Sequence, residues 1–437
     1  MKDTIFLTEK IPAIERSSAE EIKAYQKGKL RELLIYLNYN SLYYKSKFAQ
    51  LNIDISEIRN LEDLTKLPVT TKDDIQQNNE DFYCVDRTHI VDYVTTSGSL
   101  GDPVVFPLTA NDLDRLAYNE YLSLLCTQNG SHEIYQITTT LDRRFMAGMA
   151  YFLGARKLKS GIVRVGPGIP ELQWDTIAKI KPTAIIAVPS FLLAIIDYAS
   201  KNGIDPDASS IKKAICVGEP IRNQDFSYNT LGQKIADKWK IELFSTYAST
   251  EMVSAFTECH AGLGGHHHPE LIICEFLDDN DQPVSTGEAG ELTITTLGIE
   301  GMPLLRFKTG DICQPFYEPC ACGRTTMRIS PIIGRKKQMI KYRGTSLYPP
   351  ALYDILDNTN GVINYIVEVF SNDLGTDEIL IKIGSEDVSE KFEKSIKDHF
   401  RAKLRVAPSI QFMNWQEIKS LQFPETSRKP IKFFDKR

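Results

Sequence analysis

A chain of 437 residues with 42% hydrophobic residues can bury a large core and is too long for one ordinary domain, so two or three domains are expected. Its 51 basic and 57 acidic residues leave a formal charge of −6 with no long basic run, which argues against nucleic acid as a partner. The mixed-charge N-terminus is unlike a signal peptide and the longest apolar stretches, such as residues 183–189, are far too short to span a membrane, so a soluble, cytoplasmic protein is expected.

The first 80 residues read as helical. SAEEIKAYQKGKLRELLIYLNYN opens on Ser18 as a cap, with Glu20 and Glu21 in the first turn. Thr71 opens a shorter helix. From about residue 90, β-branched strands (IVDYVTT, IYQITTT, GIVRVG, AIIAVPS, KAICVGE, IELFSTYA) alternate with helical segments such as WDTIAKIK and FLLAIIDYASKNG. That alternation implies an α/β fold with a mainly parallel sheet and ligands beyond the carboxyl ends of its strands. The loops SGSLGDP, VPS, VGEP and TYASTE are therefore the candidate ligand loops. After residue 270, LIICEFLDD, GELTITTL and PLLRFKTGDIC read as antiparallel strands with glycine turns. Beyond the GRKK segment, about 100 residues form a compact α+β pattern, a plausible small domain. Of the eight cysteines, Cys84, Cys126, Cys216, Cys274 and Cys313 read as buried small hydrophobes rather than a disulfide scaffold.

Five segments carry candidate chemistry, each with a plain structural alternative. In TTSGSLGDP, residues 95–103, Gly98 and Gly101 permit close backbone approach, and Thr95, Thr96, Ser97 and Ser99 supply hydroxyls for phosphate oxygens. An ordinary polar turn would look the same. In TYASTEM, residues 246–252, Glu251 is a candidate Mg²⁺ ligand and Tyr247 a ring to pack on a base; a helix start capped by Ser249 or Thr250 is the alternative. Asp311 in LLRFKTGDI is placed to accept from a ribose diol, or lies in a Gly-Asp turn. The basic residues of GRKKQMIKYRG, residues 334–344, could meet phosphates or be solvated surface. Lys429, in the tail TSRKPIKFFDKR, could meet a developing negative charge or belong to a frayed end. Separately, TECHAGLGGHHHPE and EPCACG bring together thiols and histidines suited to a structural zinc site, or are reduced thiols in turns beside a histidine run.

Taken in order, TSGS-x-G-x-P, VGEP, TYASTE, RFKTGD, GR-x₈-G and the C-terminal lysine resemble the adenylate-forming superfamily of acyl-CoA synthetases, firefly luciferases and peptide-synthetase adenylation domains. Within it the chain is similar to the phenylacetate–CoA ligase family, through its short length, VGEP at 217–220, CACGR at 320–324 and RGTSLYPP at 343–350. The resemblance runs from about residue 20 to the C-terminus. It implies a large N-terminal domain, residues 1–335, with mainly parallel sheets, flanking helices and a small antiparallel β subdomain. A small mobile α+β domain, residues 336–437, would follow. The implied activity is ATP-dependent conversion of a carboxylic acid, with aryl acids favoured, to an acyl-adenylate, then transfer to coenzyme A with release of AMP and pyrophosphate.

The resemblance also implies roles by position. Ser97, Gly98, Ser99 and Gly101, beside Thr96, would cradle ATP phosphates; Gly218, Glu219 and Pro220 would border adenine. Tyr247, Ala248, Ser249 and Thr250 would line the nucleotide site, with Glu251 on Mg²⁺, Asp311 on the ribose and Arg335 on ribose or phosphate. Tyr151, Ser190 and Tyr247 would bound the acyl pocket; Arg343, Gly344 and Tyr348 would meet CoA. Lys337 would be the hinge and Lys429 the lysine of adenylation. For zinc the family alignment implies Cys259, His266, Cys320 and Cys322, with His268 as competing ligand. Leu100 and Asp102 depart from the family loop by removing a hydroxyl and a positive charge, Ala248 replaces a usual glycine, and the tail reads Arg-Lys-Pro. Two further outcomes stay open: transfer to a carrier-protein thiol, or a nucleotide- or CoA-binding homologue with impaired catalysis. A homodimer is the candidate assembly.

Overall fold

The structure, a computed structural model, describes residues 11–96, 104–128, 130–342, 345–372, 376–424 and 430–437. It separates into two compact units, residues 1–331 and 332–437, against a division expected after residue 335.

Caps explain the helical start of the first unit. Ser18 accepts from the Glu21 amide while the Glu21 carboxylate accepts from the Ser18 amide, satisfying two orphan donors at the head of α1 (Ala19–Asn40). Ser41 then breaks the run and caps α2 (Leu42–Gln50). Thr71 and Asp74 repeat the reciprocal cap at α3 (Lys72–Gln77).

The next strand departs from expectation. β1 (Ile90–Thr95) pairs antiparallel with β2 (Val105–Thr109) in a separate two-stranded ribbon and does not join the parallel sheet. Residues 96–104 are too few for the crossover of roughly a dozen residues that parallel pairing needs. The candidate phosphate loop links these two strands in sequence, and its residues 97–103 lie outside the described residues.

A Thr109–Asp112 capping box opens α4 (Ala110–Cys126), a helix the strand–helix alternation did not single out. Then come β3 (Ile134–Ile137), α5 (Met146–Lys157), β4 (Gly161–Arg164), α6 (Pro170–Ile180), β5 (Ala184–Ala187), α7 (Pro189–Lys201), β6 (Lys213–Val217), α8 (Thr230–Lys238) and β7 (Glu242–Ser249). The strands lie in the order β4-β3-β5-β6-β7, all parallel. Alternation splits each strand between two cores. Ile185 and Ala187 face Leu192, Ile195 and Trp239 on one side; Ala184 and Ile186 face Leu122, Tyr135 and Ala155 on the other.

Beyond β7 the direction reverses. β8 (Ser254–Glu258) pairs antiparallel with β7 and β9 (Gly265–His266) with β8. β10 (Ile272–Leu277), β11 (Gly290–Thr296) and β12 (Phe307–Cys313) form the expected antiparallel meander. β13 (Pro315–Phe316) and β14 (Arg328–Ile329) extend the large sheet past β9.

The second unit holds β15 (Gly334–Arg335), the hairpin of β16 (Ile340–Tyr342) and β17 (Thr345–Leu347), and α9 (Pro349–Asp357). It continues with β18 (Asn364–Ser371), β19 (Asp377–Gly384), α10 (Glu390–Leu404), β20 (Ser409–Met413), α11 (Trp415–Gln422) and β21 (Phe433–Asp435). Its sheet runs β20-β19-β18-β21 over a core that includes Ile355, Val367, Ile381 and Phe400.

Helices α4 and α5 approach closely because Gly154 has no side chain. A Cβ there would lie 2.4 Å from Glu120 Cβ and 2.9 Å from the Glu120 carbonyl carbon. Gly154→Ala is expected to destabilise the first unit by about 1–3 kcal/mol through overpacking, read as a lower urea midpoint at unchanged slope.

Candidate active site

Three neighbouring strands set the geometry. β5, β6 and β7 lie side by side, with Ala187 opposite Cys216 and Val217 opposite Thr246. Their carboxyl ends present residues 188–190, 217–220 and 246–250 along one edge, the position where parallel sheets collect ligands. Pro189 opens α7 at the first helical position, where its missing N–H costs nothing. Gly218 takes φ +79, which lets the chain leave β6 abruptly. Glu219 then turns back, accepting from the Ser190 amide at 2.8 Å and hydroxyl at 3.0 Å. A residue expected at adenine and one expected at the acyl pocket are thus bonded to each other, with the carboxylate on the positive end of α7. Gly218 and Pro220 are exposed beside them.

TYASTEM is not a helix start. β7 continues through Tyr247, exposed Ala248 and Ser249, and a turn leads into β8. Ser249 Oγ accepts from the Met252 amide at 3.3 Å, and Thr250 and Glu251 sit half-buried in that turn. Nor is Asp311 in a hairpin turn. It lies in β12, where the register against β11 slips and Gly310 takes φ +78. Such a bulge re-aims a side chain, and Asp311 accepts from the Tyr247 hydroxyl at 2.6 Å. Burial, together with the facing carboxylate, pushes the Tyr247 phenol well above its ordinary range, so it stays a donor.

Thr96 closes the neck of the β1–β2 ribbon. Its amide donates to Val104 O and its hydroxyl oxygen accepts from the Val104 amide, each at 3.0 Å. Thr95 N donates to Arg144 O at 3.0 Å, tying the neck to the segment before α5. Tyr151 is buried in the core with Leu122 and Tyr135, and its hydroxyl hydrogen-bonds to Thr246. Ser97, Gly98, Ser99, Leu100, Gly101, Asp102, Arg343, Gly344 and Lys429 lie outside the described residues. In the second unit Arg335 and Lys337 are exposed, and Tyr348 packs across Gly334, whose Cβ would fall 2.4 Å from the ring.

Residues that motif reading passed over hold these loops. Arg115, buried on α4, donates to Val253 O, Leu271 O and Leu297 O, each at 2.6 Å, and so fixes the end of the Glu251 turn. Burial pushes its guanidinium down to about 10 despite Asp112 and Glu270 nearby. Its spacing of three, four and seven from Tyr118, Asn119 and Leu122 marks it as inward-facing. Arg222, just past Pro220, forms a bidentate pair with buried Glu258 at 2.6 and 3.0 Å, and Glu258 also accepts from the Ser245 amide at 2.7 Å. In the second unit, Arg437 donates to Lys337 O at 3.3 Å and Met339 O at 2.8 Å and pairs with Asp377 at 2.9 Å.

The cysteine–histidine set converges. One ligand atom each from Cys259, His266, Cys320 and Cys322 lie within 4.8 Å of one another. Cys259 Sγ is 3.5 Å from Cys320 Sγ, and Cys322 Sγ is 3.5 Å from His266 Nε2. Hydrogen bonding with Cys259, then with His266, pulls the Cys322 thiol below its ordinary range, toward the thiolate a metal needs. Three sulfurs and one imidazole suit tetrahedral zinc. His268 is not part of the set: its Nδ1 meets the buried Glu15 carboxylate at 2.5 Å. The remaining cysteines are unpaired; Cys84, Cys126, Cys216 and Cys313 are buried as expected, while Cys274 is partly exposed.

Glu120 is buried on α4 beneath Tyr151, and burial raises its carboxyl to about 8, against a hydrogen bond from Asn119. The folded state therefore holds this proton while the unfolded state releases it near the ordinary carboxylate value. Stability contributed at low pH is lost as pH rises between those two values and then levels off. Glu120→Gln, which is always neutral, is expected to gain stability relative to the parent from pH 5 to pH 8, measured by urea denaturation at each pH.

The sequence matches the AMP-binding enzyme family over residues 44–300. Phenylacetate–coenzyme A ligase of Thermus thermophilus is 28% identical over 391 residues, which are 88% of this chain and 85% of that one. The Escherichia coli protein of the same name is 27% identical over 353 residues, 78% of each chain. Among solved structures, 2-hydroxyisobutyryl-CoA ligase in the postadenylation state, in complex with R3-HIB-AMP, shares the fold at a TM-score of 0.83 and 20% identity, covering 97% of this chain and 91% of that one.

Proposed function

The chain belongs to the AMP-binding enzyme family, on its phenylacetate–CoA ligase branch, and from that premise we propose that it is an ATP-dependent acid–CoA ligase working through an acyl-adenylate. The observation that supports this most is the convergence of three candidate ligand loops: VPS, VGEP and TYAS end adjacent parallel strands, and Tyr247 joins them to Asp311.

Gly218, Pro220 and Ala248, exposed at those strand ends, offer backbone and small apolar surface to a flat base. Asp311, oriented by the hydrogen bond from the Tyr247 hydroxyl, is the proposed acceptor for a ribose hydroxyl. Ser190 and Glu219 brace the floor between nucleotide and acid. Adenylation is attack of the carboxylate oxygen on the α-phosphorus with departure of pyrophosphate, so it needs alignment and offset of crowded negative charge. Residues 97–101 would bind the phosphates through backbone amides and hydroxyls, and Lys429 would stabilise the charge that develops. Glu251, half-buried in the turn after β7, would hold a Mg²⁺ ion, which would supply charge neutralisation at the phosphates. Thiolysis of the acyl-adenylate by CoA then expels AMP, with Arg343, Gly344 and Tyr348 as candidate CoA contacts and Lys337 as the hinge between the two half-reactions. An aryl acid is the proposed substrate class, and the cytoplasm the proposed setting.

Zinc is the proposed occupant of the Cys259, His266, Cys320 and Cys322 site. Its role would be structural, since Cys259, His266, Cys320 and Cys322 would supply a full set of four protein donors and leave no open position. Purified protein is expected to carry about one zinc per chain by elemental analysis, and Cys320→Ser is expected to lose it. Purified protein that carries no zinc and takes none up when it is supplied would end the assignment.

ATP–pyrophosphate exchange over a panel of acids, phenylacetate and benzoates first, tests the activity. Exchange with an aryl acid and CoA-dependent release of AMP are expected; no exchange with any acid would overturn the proposal. Lys429→Ala is expected to lower exchange by on the order of 10²–10³-fold while sparing thioester formation from preformed acyl-adenylate. An equal loss in both steps would remove the lysine from adenylation.

A further inference from the structure

Glu15 has no solvent exposure although it sits in a short turn, Ala13–Arg16, near the start of the described chain. A buried carboxylate is tolerated only when paired. Its partners come from some 250 to 310 residues away in sequence: Arg324 Nε donates to Oε2 at 2.6 Å, and His268 Nδ1 meets Oε1 at 2.5 Å. Burial alone would raise this carboxyl, yet His268 and Arg324 hold it below its ordinary value. The backbone joins in, with Thr325 N donating to Glu15 O at 2.9 Å and Thr325 Oγ1 to Ser17 O at 2.6 Å. None of these residues takes part in the proposed chemistry.

Every one of those partners is rooted in the cysteine–histidine site. Arg324 follows Cys322 closely, and its Nη1 lies 3.6 Å from Cys322 Sγ. The turn that carries it is closed by Cys320 N on Arg324 O and Gly323 N on Cys320 O, both at 2.9 Å, with Gly323 at φ +88. His268 is two residues beyond His266. Three thiolates on a divalent ion leave net negative charge, which the guanidinium beside Cys322 offsets. The same guanidinium grips Glu15. Outer groups of this kind orient the metal's ligands and tune its affinity.

We infer that the cysteine–histidine site is a metal-dependent clasp for the amino-terminal segment, residues 12–18. This rests on the zinc assignment above. Zinc fixes the Cys320–Arg324 turn; that turn aims Arg324 and Thr325; and those two hold Glu15 and Ser17. Removal of the metal releases the turn, and the segment with it, while the parallel sheet stays folded.

Amide hydrogen exchange on the full chain, with zinc content measured on the same samples, tests the clasp. Chelation of zinc is expected to speed exchange across residues 12–18 at least tenfold with no change in strand β5, and added zinc to restore protection. Glu15→Gln is expected to weaken zinc binding by on the order of tenfold in chelator competition. If Glu15→Gln does not fold, Thr325→Val, at the edge of the network, is expected to speed exchange at 12–18 in the zinc-loaded protein. Zinc-loaded and zinc-free protein exchanging alike at 12–18 would overturn the clasp and leave the zinc assignment standing. Protein that takes up no zinc would overturn both.

Discussion

The hydrogen bond from Tyr247 to Asp311 ties the large sheet of the first unit to the antiparallel meander. Tyr247 lies near the end of the last parallel strand, and Asp311 stands on the bulge of the antiparallel meander, 2.6 Å away. Each partner explains the other's position. The carboxylate is buried and needs a donor; the phenol, raised by burial, always has a proton to give. The register slip at Gly310 exists because a regular strand would point Asp311 elsewhere. Around that bond the three strand-end loops line one edge, and the proposed base, ribose and acid positions would be held in fixed relation.

Buried arginines do for the loops what that bond does for the sheets. Loops carry binding residues but have few contacts of their own. Here Arg115 fixes the turn after β7 from helix α4, and Arg222 fixes the loop after β6 against Glu258 on β8. Arg306, buried at positive φ, grips Glu275 and the carbonyl of Leu67. In each case a guanidinium satisfies several distant acceptors at once, so one side chain orders segments far apart in sequence. The same logic operates at Arg324, between a sulfur-rich site and Glu15. An AMP-forming ligase has reason to be built this way, since adenylation depends on alignment more than on covalent help from the protein.

Some of this was legible from local chemistry. Ser18 with Glu21 and Thr71 with Asp74 are reciprocal caps readable at a spacing of three, and both helices start where those residues put them. Alternating β-branched runs and helical segments marked a parallel sheet, and the order of six weak motifs marked the family. What local reading misjudged was the pairing of IVDYVTT, whose β-branched pattern suits either sheet. Only the short link to its partner strand decided for an antiparallel ribbon. TYASTE, read at a strand end, also allowed a capped helix start because hydroxyl and acidic residues favour both caps and turns; β8 pairing against β7 made it strand and turn.

The sequence by itself determined most of the elements, the family and the candidate ligand loops, because these depend on spacing along one chain. Tertiary structure alone decided which polar groups meet. Glu219 turned to Ser190, Tyr247 to Asp311, and His268 left the thiols for Glu15. No periodicity encodes those choices. They follow from burial, which forces each charged or polar group to find a partner, and the partner is whichever distant residue the packed sheets bring within reach.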